Sequence, residues 1–86
     1  MSKTRARQDS SNTQWMRISQ TAKAAGVSPQ TVEYYIMLGL IVPHRRPGQR
    51  SRYFDDAHVH RIRLIRRLNE SGYTLREIRE TYLKKR

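Results

Sequence analysis

Ala22-Lys-Ala-Ala-Gly26-Val-Ser28-Pro29-Gln30-Thr31-Val32-Glu33-Tyr34-Tyr35 has the layout of a helix, a tight turn and a second helix. Ala22 is small where two crossing helices must approach closely. Gly26 follows where the turn needs a positive φ that other residues reach only with strain. Ser28 offers an oxygen to cap the next helix, and Pro29 fills its first position, where a missing N–H costs nothing. Val32 and Tyr35 lie three apart and point back at the first helix. These local rules agree on a helix-turn-helix, whose second helix lies in the major groove of DNA.

The rest of the chain is read outward from that motif. Residues 1–13 carry Lys3, Arg5 and Arg7 with no apolar periodicity, which predicts a disordered basic tail ahead of one folded domain, 14–86. Trp15, Met16 and Ile18 open the domain as a short extended segment, with Trp15 left open between covering the sheet and facing solvent. Ser19 is expected to cap a first helix over about 20–25, and the second spans about 29–38 before Gly39 stops it. Leu40, Ile41 and Val42 return to the core in extended form, since Pro43 disfavours helix before it.

Between Ile41-Val42 and Tyr53-Phe54 lies a basic loop turned at Pro47-Gly48. It predicts a hairpin wing, 44–54, carrying Arg45, Arg46, Arg50 and Arg52. Asp55 caps a third helix over about 56–70, with Asp56 in its first turn. Val59, Ile62, Leu64, Ile65 and Leu68 cover more than half its wheel, so it needs neighbours on two sides. Ser71-Gly72 ends it, and Thr74 with Glu77 forms a capping box for a last helix over about 75–84. Leu75, Ile78 and Tyr82 share one face of that helix; Tyr53, Phe54 and Tyr73 are also expected in the core. The fold class is mainly α: a winged helix-turn-helix of four helices with a small two- to three-stranded wing.

Composition bounds the function. A chain of 86 residues buries roughly 60–65% of its unfolded surface, enough for one modest core. There is no cysteine, hence no disulfide and no thiolate chemistry, which suits a reducing cytosol. No apolar run approaches the roughly 20 residues that span a bilayer. Lys+Arg number 18 against 7 Asp+Glu, a formal net charge of +11, and most of the cations are Arg. Such a balance favours a polyanion, and guanidinium suits phosphate and guanine. No carboxylate pair, nucleophile–base pair or phosphate-cradling glycine loop is spaced for catalysis, so no enzyme is expected. His58 and His60 face different ways on one helix and His44 stands alone, so neither a metal site nor a cofactor is expected.

The segments Ile18-Ser-Gln-Thr-Ala22, Gly26-Val-Ser28, Thr31-Val-Glu-Tyr-Tyr35 and Leu38-Gly-Leu-Ile41 resemble the DNA-binding domain of the mercury-resistance-regulator (MerR) family. So do Arg52-Tyr-Phe54, Val59 with Ile62-Arg-Leu-Ile-Arg-Arg67, and Gly72-Tyr-Thr-Leu-Arg-Glu-Ile78. The resemblance covers about 18–80 in the family's order and spacing. It implies a recognition helix in the major groove and wing arginines on the flanking backbone. By position, Thr31 and Tyr34 resemble recognition-helix contacts, Arg52 the arginine anchoring the wing, and Tyr35 and Leu38 core residues. Three residues depart from the pattern: Glu33 replaces a usual Arg, Ile36 a usual Glu and Thr21 a usual aliphatic residue. A carboxylate at Glu33 faces repulsion from phosphate unless it accepts from a cytosine amino group or pairs with a nearby Arg. Members of the family continue into a dimerising helix and an effector domain. With the sequence ending at Arg86, the expectation is a truncated or naturally minimal member without inducer pocket, metal sensor or strong dimer.

The function expected is sequence-specific binding of double-stranded DNA by a transcriptional regulator of the bacterial cytoplasm. Ser28, Gln30, Thr31, Glu33 and Tyr34 are its recognition-helix candidates, with Gln30 and Thr31 best placed for base edges. Arg45, Arg46, Arg50 and Arg52 are the wing candidates, and Arg17, Lys23 and Arg63 further backbone candidates. Each has an ordinary reading as solvated surface, and Arg63, Arg66 and Arg67 also fit a solvated helix face. A second copy on an adjacent half-site and RNA polymerase are further partners of this reading; a membrane is not. The alternatives are a phage-type excisionase or architectural DNA-binding factor and, from another class, a protein-binding modulator on the same fold.

Overall fold

Local capping signals set most of the helix ends. The computed structural model describes residues 15–83. The expected tail, 1–13, lies outside the described residues, as does the Tyr82 side chain. The elements run α1 (Ile18–Ala25), α2 (Pro29–Met37), β1 (His44–Arg45), β2 (Arg52–Tyr53), α3 (Asp56–Glu70) and α4 (Leu75–Ile78), the last continuing as a π-helical segment, Arg79–Leu83.

α1 starts earlier than expected. Ser19 is not its cap: Arg17 takes that place, and its backbone N–H donates to Gln20 Oε1 at 2.8 Å. Thr21, where an aliphatic residue is usual, is fully buried yet satisfied, its hydroxyl donating to the Arg17 carbonyl at 2.9 Å. Gly26 closes α1 at φ 78°. Ser28 caps α2, accepting from the Thr31 N–H at 3.1 Å, with Pro29 in the first turn. Asp55 caps α3 through Ala57 N–H at 3.0 Å and His58 N–H at 3.3 Å. Thr74 and Glu77 exchange backbone and side-chain bonds of 2.8 and 3.0 Å at the start of α4.

Ala22 and Ala25 are buried where α1 meets α2, and Val32 and Tyr35 point back from α2 into the same core. Ile62 and Ile65, fully buried on α3, each stabilise the fold by about 1.5–3 kcal/mol. α3 packs against both α1 and α4, the two neighbours its wide apolar stripe requires. Leu64 departs from that stripe and is exposed. Val42 also departs: Leu40 and Ile41 are buried, but Val42 is 72% exposed.

The wing pairs β1 with β2 antiparallel, His44 opposite Tyr53 and Arg45 opposite Arg52. A single bridge adds the amino-terminal segment: Met16 N–H donates to Phe54 O at 2.8 Å and Phe54 N–H to Met16 O at 2.9 Å. Phe54 is core, Tyr53 half-buried and Tyr73 exposed. Trp15 is half-exposed and packs edge-on against Tyr53, ring centroids 4.6 Å apart.

Candidate nucleic-acid interface

α2 buries Val32 and Tyr35 and leaves the opposite side uncovered. Gln30 and Glu33 are exposed there, Tyr34 is 47% exposed and Met37 72%. Ser28 and Thr31 begin this side, but their hydroxyls face each other at 3.0 Å. Thr31 is half-buried and stands beside exposed Gln30 in the first turn.

The wing has two faces, because neighbouring residues of a strand alternate. Its aromatic face joins His44 and Tyr53, ring centroids 5.4 Å apart, with Trp15 against both. Its basic face sets Arg45 directly across from Arg52, two like charges in register. Glu33 relieves that repulsion. Arg52 Nη1 donates to Glu33 Oε1 at 3.0 Å and Nη2 to Oε2 at 2.7 Å, a two-pronged pair joining β2 to α2. These bonds hold the Glu33 carboxyl below the usual carboxylate range and raise the Arg52 guanidinium above its own. Arg46 lies 5.5 Å over the Tyr53 ring, and Arg45 and Arg50 are exposed. Arg17 at the start of α1 borders an open groove with Arg50 and Arg52, while Lys23 is exposed in the last turn of α1.

The structure therefore brings the α2 set, the wing and Arg17 to adjoining surfaces. Arg63 is drawn elsewhere: its Nη2 donates to the Ala24 carbonyl at 2.8 Å, and Arg66 Nη1 donates to the Gly26 carbonyl at 2.7 Å. Both guanidiniums tie α3 to the end of α1 while the two residues stay exposed, as expected of a solvated helix face. His44 is also not isolated. Its Nε2 lies 3.0 Å from Asp55 Oδ2, and His58, 8% exposed, lies with Nδ1 3.1 Å from Asp55 Oδ1. Burial pushes the Asp55 carboxyl up, but bonds from His44 and the His58 backbone outweigh it and leave the group below its ordinary value. Sequence reasoning missed this cluster. The available signal was a histidine three residues after a capping aspartate, where a capping box would carry Glu or Gln.

Similarity to known proteins fits this geometry. The family model of the MerR HTH family regulatory proteins matches residues 16–84. The chain belongs to the MerR family. It is 37% identical over 65 residues to the HTH-type transcriptional regulator HmrR of Sinorhizobium medicae, covering 76% of this chain and 44% of the relative. It is 39% identical over 62 residues to the mercuric resistance operon regulatory protein of Bacillus cereus, covering 72% and 47%. The crystal structure of the transcription regulator PbrR691 from Ralstonia metallidurans in complex with lead(II) superposes with a TM-score of 0.70 at 37% identity, covering 76% of this chain and 51% of that one. The chain spans about half the length of the curated relatives it matches. The MerR match includes every element from the Met16–Phe54 bridge to α4, so the paired wing and helices are the family's winged helix-turn-helix. Among the described residues no helix is long and apolar enough to cross a membrane.

Proposed function

We propose that this chain binds double-stranded DNA in a sequence-specific manner as the DNA-reading part of a transcription regulator. α2 enters the major groove and the wing holds the flanking backbone. The observation that carries this reading is the uncovered side of α2 fastened by Glu33 and Arg52 to an arginine-rich hairpin. A rod of nine residues fits a groove about 12 Å wide. Gln30 and Thr31 reach base edges from its first turn, and Tyr34 donates its hydroxyl to phosphate. Arg45, Arg46 and Arg50 neutralise phosphates beside the groove, and Arg17 and Lys23 extend that contact along α1. A second copy on an adjacent half-site, about 34–36 Å away along the duplex, doubles the surface engaged.

Selection of bound sites from random duplexes tests this. The expected result is a defined motif, with Gln30→Ala or Thr31→Ala relaxing one base position by at most about 1–3 kcal/mol. No mobility shift at low salt with any duplex overturns the reading. Identical motifs for wild type and both variants remove α2 as the reader.

A further inference from the structure

We propose that His44, Asp55 and His58 form a binding site for a borderline divalent metal ion of the Zn2+, Co2+ or Ni2+ class, which staples the root of the wing to α3. One ligand atom from each residue lies within 4.8 Å of the other two. The three come from different places in the fold: the first residue of β1, the cap of α3 and the first turn of α3.

His58 carries the argument. Its Nε2 faces the Val42 carbonyl at 2.8 Å, and a carbonyl only accepts, so Nε2 holds the hydrogen. In the neutral ring Nδ1 is then a lone pair. It receives the Asp55 N–H at 3.1 Å and also faces Asp55 Oδ1 at 3.1 Å. That contact sets two acceptors side by side, and a metal ion between them would take the Nδ1 lone pair in place of the Asp55 N–H. Metal-ligating histidines are held in this way, the far ring N–H donated to a backbone carbonyl so that the near nitrogen is fixed and more basic. His58 is 8% exposed, so its ring cannot turn away into water.

The second imidazole completes the set. His44 Nε2 lies 3.0 Å from Asp55 Oδ2, and its side chain, 44% exposed and packed against Tyr53 and Trp15, already aims that nitrogen at the cluster. A tetrahedral ion with bonds of about 2.0–2.2 Å needs donors about 3.3–3.6 Å apart, so the His–Asp55 distances of 3.0 and 3.1 Å open slightly while donors farther apart, all within 4.8 Å, close up. Two imidazoles and one carboxylate suit a borderline ion rather than Ca2+ or Mg2+. An open pocket beside the cluster, bordered by Val42, Ala57 and Arg61, leaves the fourth position to water. The Arg61 charge opposes the ion, so affinity falls short of a four-ligand structural site.

The test uses all 86 residues without added histidines and without DNA, so its outcome is independent of the DNA-binding reading. Co2+ is titrated by its visible absorption, Zn2+ by calorimetry, and the histidine ring nitrogens are followed by long-range 1H–15N spectra. The expected result is one-to-one binding that moves His44 Nε2 and His58 Nδ1 and leaves His60 unchanged. His44→Ala and Asp55→Asn each weaken binding at least about tenfold, while the metal-free circular dichroism spectrum stays that of the wild type. Three results overturn the proposal: no saturable uptake of either ion, uptake undiminished in His44→Ala, or uptake lost in His60→Ala. The first leaves the cluster holding protons alone.

Discussion

Glu33 is the residue at which charge works against charge. A carboxylate on the outward side of α2 repels phosphate, yet without it Arg45 and Arg52 face each other unrelieved across the hairpin. Glu33→Gln is therefore expected to loosen the wing slightly, by at most about 1 kcal/mol for an exposed pair. It should also tighten DNA binding, because Arg52 becomes free for a phosphate. The salt dependence should steepen by about 0.9 in log–log slope, measured by fluorescence anisotropy; an unchanged slope rules out Arg52 as a latent phosphate contact. The sequence left Glu33 either a cytosine amino group or a nearby arginine as partner, and offered four arginines in one loop. Only the two hydrogen bonds to Glu33 single out Arg52. Asp55 titrates with the sign of a stabilised carboxylate. Its folded-state value is lowered, so its contribution is complete above the unfolded value and disappears as pH falls through the folded one. Asp55→Ala should cost about 1–2 kcal/mol in urea unfolding at pH 7 through lost capping. That cost should shrink in acid, where the wild-type carboxyl is protonated too; a constant cost at all pH contradicts the assignment.

At the scale of elements, α3 is both core and clamp. Arg63 and Arg66 stand one turn apart on it and hold the carbonyls of Ala24, in the last turn of α1, and of Gly26, its cap. The turn of the helix-turn-helix is thus held from behind by a helix some forty residues later in the chain. Arg66→Ala should lower unfolding free energy by about 1–2 kcal/mol through a lost charge-assisted bond and leave the salt slope of DNA binding alone. A flattened slope with unchanged stability moves Arg66 to the DNA side. Gly26→Ala should cost about 1–3 kcal/mol, since φ is 78° and a Cβ would lie 3.3 Å from Arg66 Nη1. Combined with Arg66→Ala, the cost should be less than additive, because the crowding partner is gone. The caps of α2, α3 and α4 were legible because each rests on neighbours three residues apart. The start of α1 was not, because its cap, Arg17, carries no side-chain oxygen and is held instead by Gln20 Oε1 accepting the Arg17 N–H. Leu64 and Val42 were misplaced for another reason: residue type records apolarity, whereas exposure depends on which side a neighbour covers.

For the whole molecule, the net charge of +11 points to a polyanion without saying which cations meet it. The fold divides them. Arg63 and Arg66 fasten helices and Arg52 pairs with Glu33, whereas the guanidiniums of Arg45, Arg46 and Arg50 make no hydrogen bond among the described residues. Those three should carry the wing's share of the electrostatic affinity. Replacing all three with Gln is expected to flatten the log–log salt slope by about 2.7, one phosphate each at about 0.9. Thermal stability should stay near the wild-type value, since the folded chain gives up little beyond the seat of Arg46 on the Tyr53 ring. The preferred motif from site selection should survive in weaker form, because Gln30 and Thr31 lie on α2 and not on the hairpin. A variant that keeps the wild-type slope on random duplex DNA shows that the hairpin does not touch the backbone. The polyanion would then have to be met by another face of the protein.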